Sequence, residues 1–419
     1  MIASCDTPGL LPISDALHAM LGAITAIDDS HWCPLSDANG RIVAVDVISP
    51  VMVPPADNSA MDGYALRAAD LATNATLSLI GTALAGSPFN GQVRQGQCVR
   101  IMTGAVIPPG ADSVVMQENT SVLDATHTES DSPVIEFLQV PTRGNSVRLA
   151  GEDITQGEVI LSKGCRLQPA HLALLASVGI NQLQVVRRVK VGLIATGDEL
   201  TYPGETLKAG AIYESNGYAL SAMLKAFGAD VINFGIVADD KALLSQVFTQ
   251  ADNTCDLVIS SGGVSVGEAD HVKDILHQLG QVNFWKVAIK PGKPFAFGKL
   301  SQAWFCGLPG NPVSSYVTFE QLVKPLLEKL AAQAVRPAEY FIASAVCDIN
   351  KRPGRADYQR GIYFRDEAGA LWVKPIAKQG SGIMSSITQA NCYLVLAQDC
   401  ANINQGQSVT IQPFNTLAY

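Results

Sequence analysis

The sequence predicts a multidomain protein of α/β plus β class: a doubly wound parallel α/β domain, β-containing lobes inserted before it, and a small C-terminal β-barrel. Three observations carry this. From about residue 185, apolar strand-like runs alternate with helix-length segments, the pattern of parallel βαβ units. Residues 42–166 hold short β-like pieces broken by Pro-Pro and Gly. From about residue 336, strand-like runs return at short spacing, which suits a small barrel or sandwich. The 419 residues, 47% of them hydrophobic, suffice for several cores.

Taken in order, Ile13–Ile27 is apolar but interrupted by Asp15 and His18, and reads as an amphipathic helix; residues 1–27 are expected to pack it on the α/β domain. Residues 28–51 and 152–184 are assigned to a linking β-containing domain, and 52–151 to an inserted β-rich lobe. Within these, RIVAVDVI, ATLSLIGTAL and SVVMQEN are the strand candidates, and the polar tract TSVLDATHTESDSP predicts an exposed hairpin or loop. Residues 185–335 supply the α/β domain. Its strands are expected in VVRRVKVGLIAT, DVINFGIV, DLVIS and AWFCGL, and its helices over 215–227, 240–250, 270–279 and, as one long helix, 312–332. Residues 336–419 supply the barrel from FIASAVCDI, YQRGIYF, LWVKPIA, CYLVLAQ and VTIQPF.

Charge and cysteine usage narrow the function. A formal charge of -9 disfavours a general binder of nucleic acid or anionic membrane, which needs a basic face. Nine cysteines, odd in number and without a C-x-x-C pair, read as reduced thiols of a cytoplasmic protein. No apolar run has the length of a membrane span, and the N-terminal segment lacks the basic start of a signal peptide.

In an open α/β sheet, ligands bind at the carboxyl ends of the strands. Here those ends read TGDEL, SSGGVSVGEAD and GLPGNPVSS. In the first, Asp198 and Glu199 fit either a hard-cation site or an acid pair at a helix N-terminus. In the second, Gly262 and Gly263 fit either a strand-to-helix turn or a backbone cradle for an anion, with Glu268 and Asp270 at the threshold of the next helix. In the third, Pro309, Gly310 and Asn311 lead into a helix begun by Pro312. Opposite charge comes from WKVAIKPGKPFAFG, where Lys286, Lys290 and Lys293 lie on a segment fixed by Pro291 and Pro294. Such a rigid lysine loop suits phosphate or another oxyanion. Asp62 and Thr103 stand on turns of the earlier lobe, and GRADYQRG and KQGSGIMSS add Arg355, Arg360, Ser381 and Ser385.

In their order, NSAMDGYA, RIMTGA, AGEDI, TGDEL, YESNGY, SSGGVSVGEADHVK, FWKVAIKPGKP, LPGNPVSS and PGRADYQRG resemble the molybdopterin molybdenumtransferase family, called MoeA in bacteria and related to the gephyrin E domain and the plant molybdenum insertase. The resemblance implies transfer of molybdate to adenylylated molybdopterin with Mg²⁺-dependent hydrolysis and release of AMP. It implies catalytic roles for Asp62, Thr103, Glu199, Asp239, Asp270, Lys286 and Lys290, and metal binding by Glu199, Asp239 and Asp270. Ligand binding then falls to Asp198, Asn216, Gly262, Gly263, Ser265, Lys293, Pro309, Gly310, Asn311, Arg360 and Ser381. It further implies a homodimer in which Asp62 and Thr103 reach the other subunit's active site, and transient contact with the adenylyltransferase and acceptor molybdoenzymes. Glu214 departs from the aspartate frequent in the family's YESN motif, which argues against a direct metal role there. The alternatives are a molybdopterin adenylyltransferase, which resembles only the α/β domain, and a non-catalytic gephyrin-like scaffold.

Overall fold

The apolar run KVGLIAT forms strand β1 (Lys190–Thr196), buried from Val191 to its end, as a strand covered on both faces must be. The computed structural model describes residues 9–71, 75–123, 133–263, 271–335 and 337–414. They divide into two compact units. One takes the chain up to Ala44, Gly164–Gln168 and everything from Gln184; the other takes Val45–Lys163 and Pro169–Leu183.

In the first unit, β1 pairs in parallel with β2 (Asp230–Val237) on one side and β3 (Leu257–Ser261) on the other. β4 (Gln281–Lys286), β5 (Pro294–Lys299) and β6 (Trp304–Leu308) complete a six-stranded sheet of order β2-β1-β3-β6-β5-β4. β6 is parallel to β3, whereas β5 and β4 run antiparallel. The four expected parallel strands are all present, and an antiparallel wing extends them where the sequence reading places only a lysine loop. Trp285, Phe295 and Phe297 bury one face of that wing, and Val282 and Ala296 bury the other.

Helices cover both faces. α1 (Ile13–Ala23) and α2 (Asn216–Phe227) pack Ala16, Met20, Leu220 and Leu224 against Val191 and Leu193, while α3 (Lys241–Thr254) and α4 (His271–Leu279) pack Phe248 and Leu276 against Ile194 and Val258. Each fully buried side chain of this size contributes about 1.5–3 kcal/mol. α2 ends where Gly228, at φ 94°, sends its N–H back to the Leu224 and Lys225 carbonyls. The expected long helix over 312–332 is three pieces: α5 (Pro312–Thr318), a π-helical turn over Phe319–Val323, and α6 (Lys324–Leu330). Pro325 explains the break, because it has no N–H for the Gln321 carbonyl and its ring crowds that carbonyl.

The C-terminal barrel matches the five runs read from sequence: β7 (Phe341–Ala345), β8 (Ala356–Arg365), β9 (Leu371–Pro375), β10 (Cys392–Leu396) and β11 (Ser408–Pro413). Pairings β8-β9-β7-β11-β10 return to β8 and close the ring. β8 is long enough to pair β10 through Asp357–Gly361 and β9 through Gly361–Arg365, and its start also takes Ile289–Lys290 as a parallel neighbour.

The second unit carries a six-stranded sheet in the order Ser113–Met116, Gly63–Leu66, Gln97–Ile101, Thr76–Ala83, Val134–Phe137, Thr120–Leu123. The last two pair antiparallel, with Leu123 opposite Val134, so they form the arms of the expected hairpin; 124–132 lie outside the described residues. The helix Pro169–Ser177 is absent from the sequence reading, although Pro at its first position and Gly179 just beyond its end are ordinary boundary signals. Among the described residues no helix is long and apolar enough to cross a membrane.

Candidate functional site

The sheet order reverses between β1 and β3, since α2 leads outward to β2 and α3 returns the chain to β3. The crevice at such a reversal is where an α/β sheet receives its ligand. Thr196–Glu199 after β1 and Ser261–Gly263 after β3 line that edge, with Pro309–Asn311 following β6 on the far side of β3. Asn216, at the first turn of α2, joins two of these turns. Its buried amide donates to Ser261 Oγ at 3.0 Å and to the Gly310 carbonyl at 2.8 Å.

Backbone freedom at the glycine turn is a requirement of space. Gly262 and Gly263 have φ of 96° and 66°, and a Cβ on Gly262 would stand 2.7 Å from the Thr196 carbonyl, while one on Gly263 would stand 2.7 Å from Val272 Cγ2. The Thr196 hydroxyl, 3.0 and 3.1 Å from those two positions, is buried without a hydrogen-bond partner among the described residues. A buried hydroxyl in that condition favours a ligand that supplies the missing bond.

The acids are arranged differently from a helix-capping pair, because no helix follows Glu199; the chain turns into the two-residue strand Leu200–Thr201. Asp198 Oδ1 accepts the Asp239 N–H at 3.0 Å, which draws the loops after β1 and β2 together. Glu199 folds back over Gly197, where a Cβ would meet its carboxylate within 2.8 Å. Asp198, Glu199 and Asp239 are all exposed. Such hard, hydrated oxygen donors suit Mg²⁺. Among the described residues no group of three His, Cys, Asp or Glu side chains is assembled into a metal site. Asp270 and Ser265, both assigned from sequence, lie outside the described residues, as does Glu268.

Glu214 is visible in sequence only as a departure from a motif. Its side chain is 6% exposed and Oε1 accepts the Gly217 N–H at 2.6 Å, so it caps α2 in place of Ser215.

The three lysines are not equivalent. Lys286 ends β4 half-buried, and its carbonyl accepts the Leu11 N–H at 2.9 Å. Lys293 is exposed just before β5. Lys290 is paired: its ammonium lies 2.9 Å from Oδ2 of Asp357, whose side chain is 2% exposed. Gly292, at φ 116°, lies so close to Thr318 Oγ1 that no side chain fits between them. Asp357 escapes the sequence reading as a site residue, because nothing in the mixed polar and apolar strand ADYQRGIYFR marks its carboxylate as buried.

Arg360 is 1% exposed and donates to Ser386 Oγ at 3.0 Å, the Tyr358 carbonyl at 3.3 Å and the Gly380 carbonyl at 3.4 Å. Burial holds its guanidinium below the ordinary arginine value, with the Asp357 charge working the other way. Ser381, next along, accepts the Val313 N–H on its carbonyl at 3.0 Å, which ties the loop held by Arg360 to the start of α5.

In the other unit Asp62 and Thr103, which the sequence places on separate turns, meet directly. Asp62 Oδ1 accepts both the backbone N–H and the hydroxyl of Thr103 at 2.7 Å. Those bonds, backbone first, hold the Asp62 carboxyl below its usual range.

Comparison with known proteins agrees with this layout. Family models match in order along the chain: the MoeA N-terminal region, domains I and II, over residues 11–179; a probable molybdopterin binding domain over 192–329; and the MoeA C-terminal region, domain IV, over 343–414. The chain is 45% identical over 409 residues to the molybdopterin molybdenumtransferase of Haemophilus influenzae, covering 97% of this chain and 100% of that one. It is 33% identical to that of Nostoc, covering 96% and 93%. A crystal structure of the molybdopterin biosynthesis moeA protein from Pyrococcus horikoshii superposes with a TM-score of 0.83 at 31% identity, over 97% of this chain and all of that one. The chain belongs to the MoeA family of molybdopterin molybdenumtransferases, transferases of molybdenum cofactor biosynthesis.

Proposed function

We propose that this chain transfers molybdate to adenylylated molybdopterin at the carboxyl edge of its α/β sheet and releases AMP. The observation that carries this reading is the crevice at the β1–β3 reversal, where a buried unpartnered Thr196 hydroxyl underlies the Gly262–Gly263 turn and Asn216 locks the turns after β3 and β6 together. The backbone N–H groups of Gly263, Gly310 and Asn311 would orient the phosphates, as preorganised dipoles do where negative charge develops. Lys286 and Lys293 bring free positive charge for the pyrophosphate and molybdate oxygens. Lys290 reaches an anion only by sharing it with Asp357 or releasing that carboxylate. Arg360 and Ser381 act by holding the loop that abuts α5.

Glu199, Asp239 and Asp270 are the residues assigned to hold Mg²⁺, which would offset charge on the phosphate oxygens as the pyrophosphate bond breaks. Molybdate enters as substrate. The dithiolene sulfurs that receive molybdenum belong to the pterin, so the scattered protein thiols need no part in it. Asp62 and Thr103 enter this reading as groups contributed by the second subunit of a homodimer, their carboxylate and hydroxyl already aligned.

The test is a product assay with purified protein, adenylylated molybdopterin, molybdate and Mg²⁺. AMP release matched one for one by molybdenum incorporation is the expected result. Adenylylation of molybdopterin from ATP without molybdate would replace this reading with that of an adenylyltransferase, and AMP release without molybdenum uptake would refute it.

A further inference from the structure

A cavity of about 360 Å³ lies between α2 and the edge strand β2, beside the carboxyl edge and bordering the turn after β3 at Ser261. It exists because the elements around it are pared back. α2 presents Gly217 and Ser221 on successive turns where larger side chains would fill the space. β2 carries one extra residue opposite β1, with Asn233 facing Leu193 and Ile236 facing Ala195, and Gly235 in that bulge has φ 78°. Tyr202 closes the side of the bulge by accepting the Ile236 N–H at 2.8 Å.

The lining is graded. Leu193, Ala195 and Leu220 give a buried apolar floor, and Tyr202, Tyr218 and Lys225 form an exposed mouth. At the inner end stands the Glu214 carboxylate, 6% exposed. One of its oxygens takes the Gly217 N–H, but a carboxylate accepts at about four positions, so most of its capacity remains. A slot of this volume with an apolar floor, aromatic mouth and one inner carboxylate fits a flat heterocycle that carries adjacent N–H donors on one edge.

We propose that this cavity binds the pterin ring of the substrate through its 2-amino-4-oxopyrimidine edge, with Glu214 accepting the adjacent ring N–H and amino hydrogens. The inference rests on the molybdopterin-processing reading above. Guanine presents the same edge, whereas adenine does not, so the AMP half of the substrate is excluded from this pocket by chemistry. The glutamate at position 214 then has two tasks, capping α2 and reading the ring.

The experiment is a fluorescence titration of the wild-type chain with unsubstituted pterin, with lumazine, AMP and GMP as competitors. Saturable binding of pterin is expected, weakened at least tenfold in lumazine, whose 2-oxo group replaces the amino donor. Ser221→Leu, which fills the cavity with a good helix former, should also weaken pterin binding at least tenfold. Glu214→Gln keeps an acceptor for the Gly217 N–H while presenting a donor to a donor, and should weaken pterin about tenfold, or 1.4 kcal/mol. Circular dichroism and thermal melting confirm that both variants are folded. Equal binding of lumazine, full binding to Ser221→Leu, no saturable pterin binding, or GMP binding more tightly than pterin would each overturn the proposal. Turnover separates it from the functional reading: a Ser221→Leu enzyme that processes the full substrate as well as wild type removes the pocket and leaves the function standing. A wild-type enzyme that binds pterin but inserts no molybdenum does the reverse.

Discussion

At the carboxyl edge of the parallel strands Asp198, Glu199 and Asp239 stand in solvent, and the hydrogen bond from the Asp239 N–H occupies one Asp198 oxygen. Toward the barrel, Asp357 is 2% exposed and takes the Lys290 ammonium, and Arg360 is 1% exposed with three acceptors around it. The charges of the two regions differ in how firmly the fold holds them. An exposed acid that keeps a spare oxygen, as Asp198 does, can bind a ligand at little cost to the fold, whereas buried ions are held by partners whose loss strands a charge. Substitutions on the barrel side should therefore change stability first, and those at the edge should change ligand use first.

Arg360→Ala should show the largest effect. It leaves Ser386, Tyr358 and Gly380 without their donor and opens a cavity where the side chain was, and a loss of about 3–5 kcal/mol in urea denaturation is expected. Arg360→Lys should recover little, because an ammonium lacks the planar fork that reaches all three. A loss below about 1 kcal/mol would place Arg360 with the loosely held groups of the edge.

The Lys290–Asp357 pair gives a sharper comparison, because its two ends differ in exposure, 48% against 2%. Lys290→Ala leaves the buried carboxylate with the Gln359 amide, 3.2 Å away, as its one side-chain hydrogen-bond partner among the described residues, and should cost about 2–3 kcal/mol. Asp357→Asn removes the buried charge and frees an ammonium that can turn to water, and should cost about 1 kcal/mol. Chemical denaturation of both variants checks the order. The reverse order would mean that the exposed end carries the energy.

The same distinction explains what is legible in the sequence. Strands such as KVGLIAT and DLVIS show as unbroken apolar runs because they are covered on both faces, and the barrel shows as five short β-runs with turns between. The wing reads as a loop because Lys290, Pro291, Gly292 and Pro294 dominate the segment, although buried Trp285 lies before them and buried Phe295 and Phe297, at strand spacing, lie after them. Pro325 marks the break in the last helix, but a π-helical turn rather than a stop follows only from the packing of Leu322, Leu326 and Leu327 around it. In the candidate site, polar residues on glycine turns are legible by type. Their partners are not: Asn216 reaching Ser261 and Gly310, or Lys290 reaching Asp357, are pairings across 45 to 94 residues that no local pattern encodes.

The smallest effect on stability and the clearest on ligand use should come from Asp198→Asn. The asparagine keeps Oδ1, so the Asp239 N–H retains its acceptor, and because position 198 is exposed no charge is stranded. Stability should stay within about 0.5 kcal/mol of wild type. The substitution nevertheless removes a negative charge beside Asp239 and weakens the acceptor that fixes its loop. Groups that orient a metal ligand typically change affinity about tenfold or more when altered. Isothermal titration of Mg²⁺ into the variant should therefore show roughly tenfold weaker binding with an unchanged melting temperature in the metal-free state. Asp357→Asn serves as the control, lowering stability while leaving Mg²⁺ affinity where it was. If Asp198→Asn lowers stability by the same amount, the fold depends on the edge acids no less than on the barrel ions. If Mg²⁺ affinity is the same in both variants, Asp198 has no part in placing a metal at this edge.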